Sequence, residues 1–134
     1  MGAKKVYDFL KECGTFYIAT VENGDQARVR PFGALAYYED KVYIQTGKSK
    51  NCFKQMVAYP KVEICAMAKG GGWIRVAGTL VLDDRKQAIE YVLDENPSLK
   101  RMYNSEDGNC AVLYFKDATA VINAFGKEPE TINF

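Results

Sequence analysis

The chain has 134 residues, of which 48% are hydrophobic and 26% charged, and its 18 Lys and Arg nearly balance 17 Asp and Glu. At roughly 100–200 residues per domain, this length predicts one domain over residues 1–134. The net charge of +1 argues against nucleic-acid or anionic-membrane partners. The sequence contains no histidine, which excludes Ser-His-Asp and Cys-His catalysis, histidine-ligated zinc or haem, and a histidine general base.

No apolar run reaches the roughly 20 residues that a membrane-spanning helix needs. Residues 1–8 have no signal-peptide core, so we expect a cytoplasmic protein. The cysteines are widely spaced and form no C-x-x-C pair, which favours small buried hydrophobic side chains over a zinc site or disulfides. We therefore predict no metal site at Cys13, Cys52, Cys65 or Cys110.

Helical spacing of Val6, Phe9, Leu10 and Cys13 predicts a first helix that ends at Gly14. Residues 15–21, 27–38 and 41–46 are rich in β-branched and aromatic residues and are predicted strands. The turn signal at 23–24 and the acidic pair at 39–40 separate them. We expect these three strands to form a meander, in which each pairs with the next.

The second half of the chain repeats the pattern of short strands with helices in the longer gaps. Helices are predicted from Ser49 to Pro60, after a capping box formed by Asp84 and Gln87, and briefly at Pro97. The predicted strands are 62–66, 73–82, 111–115 and 119–125, followed by an extended tail at 129–134. The absence of βαβ alternation favours a mainly β fold, an antiparallel barrel with peripheral helices.

The segment RVRPFG (28–33) places Arg28, Arg30 and Phe32 on one face of a strand. Two guanidinium groups on one face repel each other unless they meet an anion or open water, and arginine suits bidentate phosphate contacts. Pro31 lacks a backbone donor and predicts an edge strand or a bulge. The alternative to an anion site is a solvated strand face with an edge-protecting proline.

The segment TGKSK (46–50) joins a predicted strand to a predicted helix. The first N–H groups of a helix lack internal partners, and Lys48 and Lys50 add positive charge beside them. This arrangement is a small phosphate cradle, although the P-loop pattern is absent. The alternative is a surface helix that Ser49 caps, with two solvated lysines. Because both basic segments lie on neighbouring strands of the expected meander, we expect them to converge on one anion.

The only tryptophan, Trp73, follows three glycines and shares a strand face with Arg75. It either covers a planar ligand or packs at a barrel rim beneath the arginine. The acidic pairs at 83–84 and 106–107 lie in turn or cap contexts, so no residue is assigned as catalytic. A redox cofactor would need only binding and electrostatics from the protein, which agrees with the missing histidine.

The order of GTFYIAT (14–20), RVRPFG (28–33), TGKSK (46–50) and WIRVAG (73–78) resembles the pyridoxamine 5′-phosphate oxidase-like family of FMN-binding split barrels. The chain is most similar to the short branch labelled nitroimidazole-resistance-like or general-stress-like. The resemblance implies a six-stranded antiparallel split β-barrel and a homodimer with one FMN per subunit, bound between the chains. A small-molecule substrate and a reduced nicotinamide as electron donor are its other expected partners.

Position by position, the resemblance implies that Arg30 and, more weakly, Arg28 lie near the FMN phosphate. It places the backbone of Pro31, Phe32 and Gly33 along the edge of the flavin ring. The remaining implied cofactor contacts are the strand-end Thr46, the phosphate-binding pair Ser49 and Lys50, and Trp73 in place of a flavin-side glutamine.

The chain also departs from better-known members of that family. It lacks the Arg-x-His substrate motif of authentic pyridoxamine-phosphate oxidases, so that oxidation is not expected, and it lacks the flavin-site histidine of nitroimidazole-resistance members. We expect an FMN-dependent oxidoreductase. The alternatives are a non-catalytic flavin-binding sensor or carrier, a deazaflavin in place of FMN, and a barrel that binds an oligonucleotide through Arg28, Arg30 and Trp73.

Overall fold

A computed structural model of the protein describes residues 2–134. Strands predominate in this part of the chain; one helix precedes them and the others lie between them. The helices are α1 (Gly2–Cys13), α2 (Asn51–Ala58) and α3 (Lys86–Glu95), with a 3-10 helix at Pro97–Arg101. The strands are β1 (Phe16–Glu22), β2 (Gln26–Phe32), β3 (Leu35–Tyr38), β4 (Lys41–Gly47), β5 (Lys61–Met67), β6 (Trp73–Leu82), β7 (Cys110–Asn123) and β8 (Glu130–Asn133).

All strands belong to one antiparallel sheet, in the order β2-β1-β5-β6-β7-β4-β3, with β8 added beside β7. The two ends of this order, β2 and β3, are separated in sequence by residues 33–34 alone. Three Cα–Cα steps span at most about 11 Å, so the edges of the sheet must lie close together there. The sheet therefore curls into a barrel that stays split between β2 and β3, which confirms the predicted fold class.

The core fills the inside of this curled sheet. One row of paired residues crosses four strands through Ile18, Ile64, Val76 and Ala120, and all four side chains are buried. Helix α1 adds Val6 and Leu10 to the same cluster. A second, smaller cluster forms where α3 packs on the outer face of β4 and β7; its largest members are Tyr43, Ile89, Leu93 and Tyr103.

The structure corrects the expected middle strand in the first half of the chain. The predicted strand 27–38 is divided into β2 and β3, which lie at opposite ends of the sheet, so a continuous three-stranded meander is wrong. Both expected pairings form, each within its own hairpin, whose turn residues have positive φ: Asn23 and Gly24 in one, Glu39 and Asp40 in the other. The sheet has eight strands rather than six because of this division and because the tail forms β8.

Further differences concern β7, α3 and the cysteines. The strands predicted at 111–115 and 119–125 form one continuous strand, β7. The capping box of Asp84 and Gln87 does not form, because α3 begins one residue later, with Arg85 at its N-cap and no side-chain cap bond. Of the cysteines expected in the interior, Cys52 and Cys110 are buried, whereas Cys13 and Cys65 are half-buried; all four are free. Among residues 2–134, every helix is too short or too polar to cross a membrane.

The carboxylate that anchors the start of α3 is Asp83. It accepts one hydrogen bond from the backbone N–H of Arg85, two from the Arg85 guanidinium, and a fourth from the buried Tyr43 hydroxyl at 2.7 Å. The same guanidinium pairs with Glu39 in the turn between β3 and β4. Bonding to Arg85 is the main cause that lowers the pKa of Asp83 to about 2. This network ties α3 to the outer face of the sheet.

Replacing Asp83 by Asn is expected to lower the free energy of unfolding by about 2 kcal/mol near neutral pH. The pKa of Asp83 is lower in the folded than in the unfolded chain. Its stabilisation is therefore complete above the unfolded pKa, about pH 4, and is lost as the pH falls toward 2. Urea unfolding of Asp83→Asn and wild type, at neutral pH and near pH 3, measures the difference, which should shrink by about half.

The matched control for this experiment is Asp94→Asn, which removes the exposed partner of Lys100. An exposed ion pair contributes less than about 1 kcal/mol. Equal losses in the two variants, or an Asp83→Asn effect that does not change with pH, would contradict the assigned role of Asp83.

Candidate phosphate-binding site

Arg30 lies on the edge strand β2, on the face that points toward the core residue Ile18. Its guanidinium is half-buried and folds back over β1. Nη1 donates to Thr20 Oγ1 at 2.7 Å and to the Ile18 carbonyl at 3.3 Å, while Nη2 donates to Gln55 Oε1 on α2 at 2.9 Å. One cation thus connects two strands and a helix, and its position is fixed by neutral acceptors that leave its charge uncompensated.

Two buried polar residues that sequence reasoning missed hold Arg30 in place. Thr20 and Gln55 are 2% and 8% exposed, and the Thr20 hydroxyl donates to Gln55 Oε1 at 2.5 Å. The Gln55 amide then donates to Glu22 Oε2 at 3.3 Å. A signal existed in the sequence: Gln55 occupies the apolar stripe of α2 between Cys52 and Met56. A polar residue at such a position needs a buried partner.

Arg28 lies on the same face as Arg30, as predicted, but it already has a partner. Its Nε and Nη2 atoms donate to Glu22 Oε1 at 3.0 and 2.8 Å, and about half of its side chain is exposed. The Glu22 carboxylate therefore offsets much of the Arg28 charge. Of the two strand arginines, Arg30 has the stronger claim to an anion.

The second basic segment forms the loop between β4 and α2. The expected cap by Ser49 is wrong, because Lys50 is the N-cap residue, in extended conformation and without a side-chain cap bond. The Ser49 backbone N–H points away from the helix and donates to Asn109 Oδ1 at 3.0 Å. The first N–H groups of α2 therefore receive no side-chain cap from the N-cap residue, beside the exposed Lys50 ammonium.

Thr46 and Lys48 have less direct roles than predicted. Thr46 is buried, and its hydroxyl lies 3.4 Å from Cys52 Sγ, beneath the first turn of α2. The Lys48 ammonium pairs with the exposed Asp84 at 3.2 Å. Thr46 therefore supports the helix start, and part of the Lys48 charge is offset.

Helix α2, rather than a pair of neighbouring strands, connects the two basic segments, because it starts just after Lys50 and contacts Arg30 through Gln55. The strand that ends at Gly47 pairs with β7 and β3, on the far side of the sheet from β2. Helix α2 crosses back and packs on β1, where Gln55 meets Arg30. Gln55 follows Lys50 by five residues, about 7.5 Å along the helix axis. A groove of about 300 Å³ lies between α2 and the β1–β2 hairpin, with Glu22, Asn51 and Gln55 in its lining.

The remaining predicted residues lie at the edge or on the other face. Pro31 is exposed on the edge strand, as expected, and Phe32 packs against Phe16 with ring centroids 6.0 Å apart. Trp73 lies with Arg75 on the outer face of β6, where its indole meets the edge of Phe125 at 6.3 Å. Since Arg30 belongs to the inner face, one chain does not bring Trp73 to it. This separation counts against an oligonucleotide surface made of both.

These features define a class of protein: a split antiparallel barrel that carries an arginine and an uncapped, lysine-flanked helix start on one side. A family model described as pyridoxamine 5′-phosphate oxidase matches residues 3–115, and the chain belongs to this family. Comparison with curated proteins gives no significant match.

Several solved structures are similar over nearly the whole chain. A NimC/NimA family protein from Clostridium acetobutylicum is 51% identical, with a TM-score of 0.96 over 99% of this chain and 92% of that one. General Stress Protein 26 from Bacillus anthracis is 18% identical, with a TM-score of 0.75 over 98% of each chain. The predicted branch of the family is thereby confirmed.

Two more distant structures share the fold and differ in the cofactor that their names give. An FMN-binding, pyridoxamine 5′-phosphate oxidase-related protein from Nostoc punctiforme is 14% identical, with a TM-score of 0.63 over 98% of this chain and 93% of that one. A heme binding protein from Mycobacterium smegmatis is 8% identical, with a TM-score of 0.78 over 99% of this chain and 58% of that one. The fold by itself therefore leaves the cofactor open.

Thr20→Val is expected to destabilise the protein by about 1–2 kcal/mol, because it removes a buried acceptor of Arg30 and the donor to Gln55 while keeping the side-chain shape. Chemical unfolding of the purified protein measures the loss. Thr131→Val, at an exposed position on β8, is the matched control and should have little effect. A Thr20→Val protein as stable as wild type would show that the bonds to Arg30 contribute nothing.

Proposed function

We propose that the chain binds FMN and acts as an FMN-dependent oxidoreductase on a small molecule. The observation that carries the proposal is the meeting of Arg30 with α2, whose uncapped start is flanked by Lys48 and Lys50. A phosphate monoester carries close to two negative charges, and helix starts with nearby cations are suited to hold it. Family membership and an FMN-binding relative of the same fold support FMN as the ester.

The residues present fit the phosphate end of this cofactor. Lys50 and Arg30 would supply the charge, and the first N–H groups of α2 and the Ser49 hydroxyl would supply donors. Among residues 2–134, neither Lys50 nor Arg30 forms an ion pair, in contrast to Arg28 and Lys48. The flavin ring would lie along the backbone of Pro31, Phe32 and Gly33, since β2 is an edge strand with groups free of sheet bonding.

FMN, when bound, supplies reversible hydride and single-electron transfer. The protein then has to bind, orient and shield the reactants. A reduced nicotinamide is the proposed donor, and a small, flat acceptor is the proposed substrate. Haem fits less well, because the sequence offers no histidine to bind its iron.

The alternative is a flavin-binding protein without turnover, a sensor or a carrier. The two functions differ in one experiment, anaerobic mixing of the flavin-loaded protein with reduced nicotinamides. Steady oxidation of the nicotinamide with any acceptor supports the enzyme, and bound flavin that stays oxidised supports the carrier. Mass spectrometry of the released cofactor distinguishes FMN from a deazaflavin.

We further propose a homodimer with the cofactor between its subunits and a cytoplasmic location. The outer face of β2, β1 and β5 exposes large apolar side chains and has no helix over it. Val29 is 70% exposed, Met67 59% and Tyr17 50%. Apolar side chains grouped on one strand face are typical of protein interfaces, and a second copy of the chain is the proposed occupant. Trp73 lies on the same outer face, so a partner subunit could bring it toward a flavin.

Lys50→Glu is expected to weaken FMN binding at least about tenfold, because it replaces an attractive charge at the helix start by a repulsive one. Flavin fluorescence titration of the apoprotein measures this affinity. Lys61→Glu, an exposed residue at the start of β5, makes the same charge change away from the site and serves as control. Failure of the wild-type protein to bind FMN would refute the proposed function. Equal affinity in the two variants would refute only the phosphate assignment.

Val29→Glu is expected to convert the dimer into a monomer, because it buries an unpaired charge in the proposed interface. Sedimentation velocity measures the change in mass. Glu130→Gln, an exposed position on β8, is the control and should stay dimeric. A wild-type protein that sediments as a monomer would overturn the dimer, whatever its flavin content.

A further inference from the structure

We infer that Asn109 is a positioning residue for the phosphate-binding loop at 47–50, and this inference rests on the proposed function. Asn109 lies just before β7, about sixty positions beyond the loop in sequence. Its side-chain Oδ1 accepts the Ser49 N–H at 3.0 Å, and its backbone carbonyl accepts the Lys48 N–H at 2.7 Å. One residue thus holds two consecutive N–H groups of the loop.

The two bonds to Asn109 set the direction of the loop backbone before α2. Ser49 and Lys48 both direct their N–H groups toward Asn109, which leaves Lys50 to begin α2 in extended conformation without a side-chain cap. Asn109 holds the backbone N–H of Ser49 and not its hydroxyl. Without that bond the Ser49 backbone could take the N-cap conformation, where its hydroxyl would cap the helix, as its residue type favours. Asn109 therefore keeps the helix start open for an anion.

Asn109 is itself held firmly. Asp107 Oδ1 accepts the backbone N–H groups of Asn109 and Cys110, both at 2.8 Å, and its other oxygen accepts the Asn104 N–H at 3.0 Å. Three backbone donors to one carboxylate make a rigid turn. The loop is thus supported by a turn that is fixed through its own hydrogen bonds.

The close packing of Gly47 against Asn109 supports the same assignment. A Cβ atom on Gly47 would lie 2.8 Å from the Tyr103 hydroxyl oxygen and 3.2 Å from Asn109 Nδ2. Tyr103 is 7% exposed and packs under α3, so it has little room to move. Gly47 is needed here because residues 103 and 109 approach its backbone closely.

The test compares FMN with riboflavin, which has the same ring and lacks the phosphate. Asn109→Ala is expected to weaken FMN binding about five- to tenfold, the loss from the one side-chain hydrogen bond to Ser49, and to leave riboflavin binding unchanged. Fluorescence titration of both ligands gives the ratio of affinities, a readout that general destabilisation would not shift. Asn104→Ala is the matched control, because Asn104 lies in the same turn and bonds only within it.

Gly47→Ala should also weaken FMN binding and leave riboflavin binding unchanged, since its Cβ atom would push the loop away from Asn109. The effects of Gly47→Ala and Asn109→Ala should be less than additive in the double variant. Asn109→Leu is the variant to use if Asn109→Ala fails to fold. It keeps a similar side-chain volume and still removes the acceptor of the Ser49 N–H, so the FMN to riboflavin ratio should fall by a similar factor.

The outcomes separate the inference from the proposed function. A wild-type protein that binds neither ligand refutes both. Two results would overturn the positioning role alone, provided that the wild-type protein binds FMN. In the first, the Asn109 variants bind FMN as tightly as wild type. In the second, they lose FMN and riboflavin affinity by the same factor.

Discussion

The arrangement of this protein's proposed site depends on one hydrogen-bonded group, the half-buried Arg30 guanidinium with the buried Thr20 and Gln55. An arginine on an edge strand would ordinarily extend into water. Here a threonine on β1 and a glutamine on α2 draw it back, and both acceptors are neutral. The cation is therefore held in place with its charge available. A carboxylate at either position would have held the guanidinium as firmly and would have neutralised its charge.

The other charged residues near the site also differ in whether a carboxylate offsets their charge. Arg28 is paired with Glu22 and Lys48 with Asp84, so their side chains serve the hairpin and the loop. Arg30 and Lys50 form no ion pair among residues 2–134, and they belong to different elements. The proposed site combines them beside a helix start, which is an arrangement that suits a phosphate monoester. The support for Lys50 comes from the turn at Asp107 and Asn109, far along the chain.

The split in the barrel explains how the edge strand remains available. Because β2 and β3 lie at opposite ends of the sheet and are joined by two residues, the barrel approaches closure without pairing its last two strands. The edge of β2 keeps unpaired backbone groups, and its outer face keeps exposed apolar side chains. Both features fit a strand that contacts a ligand and a second subunit.

The sequence by itself determined the type and place of almost every element, because those depend on local patterns. Helical spacing and a left-handed Gly14 defined α1, alternation defined β5 and β6, and Asn23–Gly24 defined the first hairpin. It also identified the basic segments at 28–33 and 46–50 and the family. Only the tertiary structure decided which strands are neighbours, since hairpin signals specify pairs and say nothing of the order among them.

The same limit applies to the site. Thr20, Gln55 and Asn109 act through partners that are 10 to 60 positions away in sequence, and no local pattern encodes such contacts. The cap at Ser49 and the capping box at Asp84 were plausible locally and failed, because each helix begins one residue later, where Asn109 accepts the Ser49 N–H and Asp83 accepts the Arg85 N–H. The register between β1 and β2 likewise decided that Arg30 lies on the inner face, opposite to that of Trp73. The charged residues could be identified from the sequence, but long-range contacts determine which of them form no ion pair.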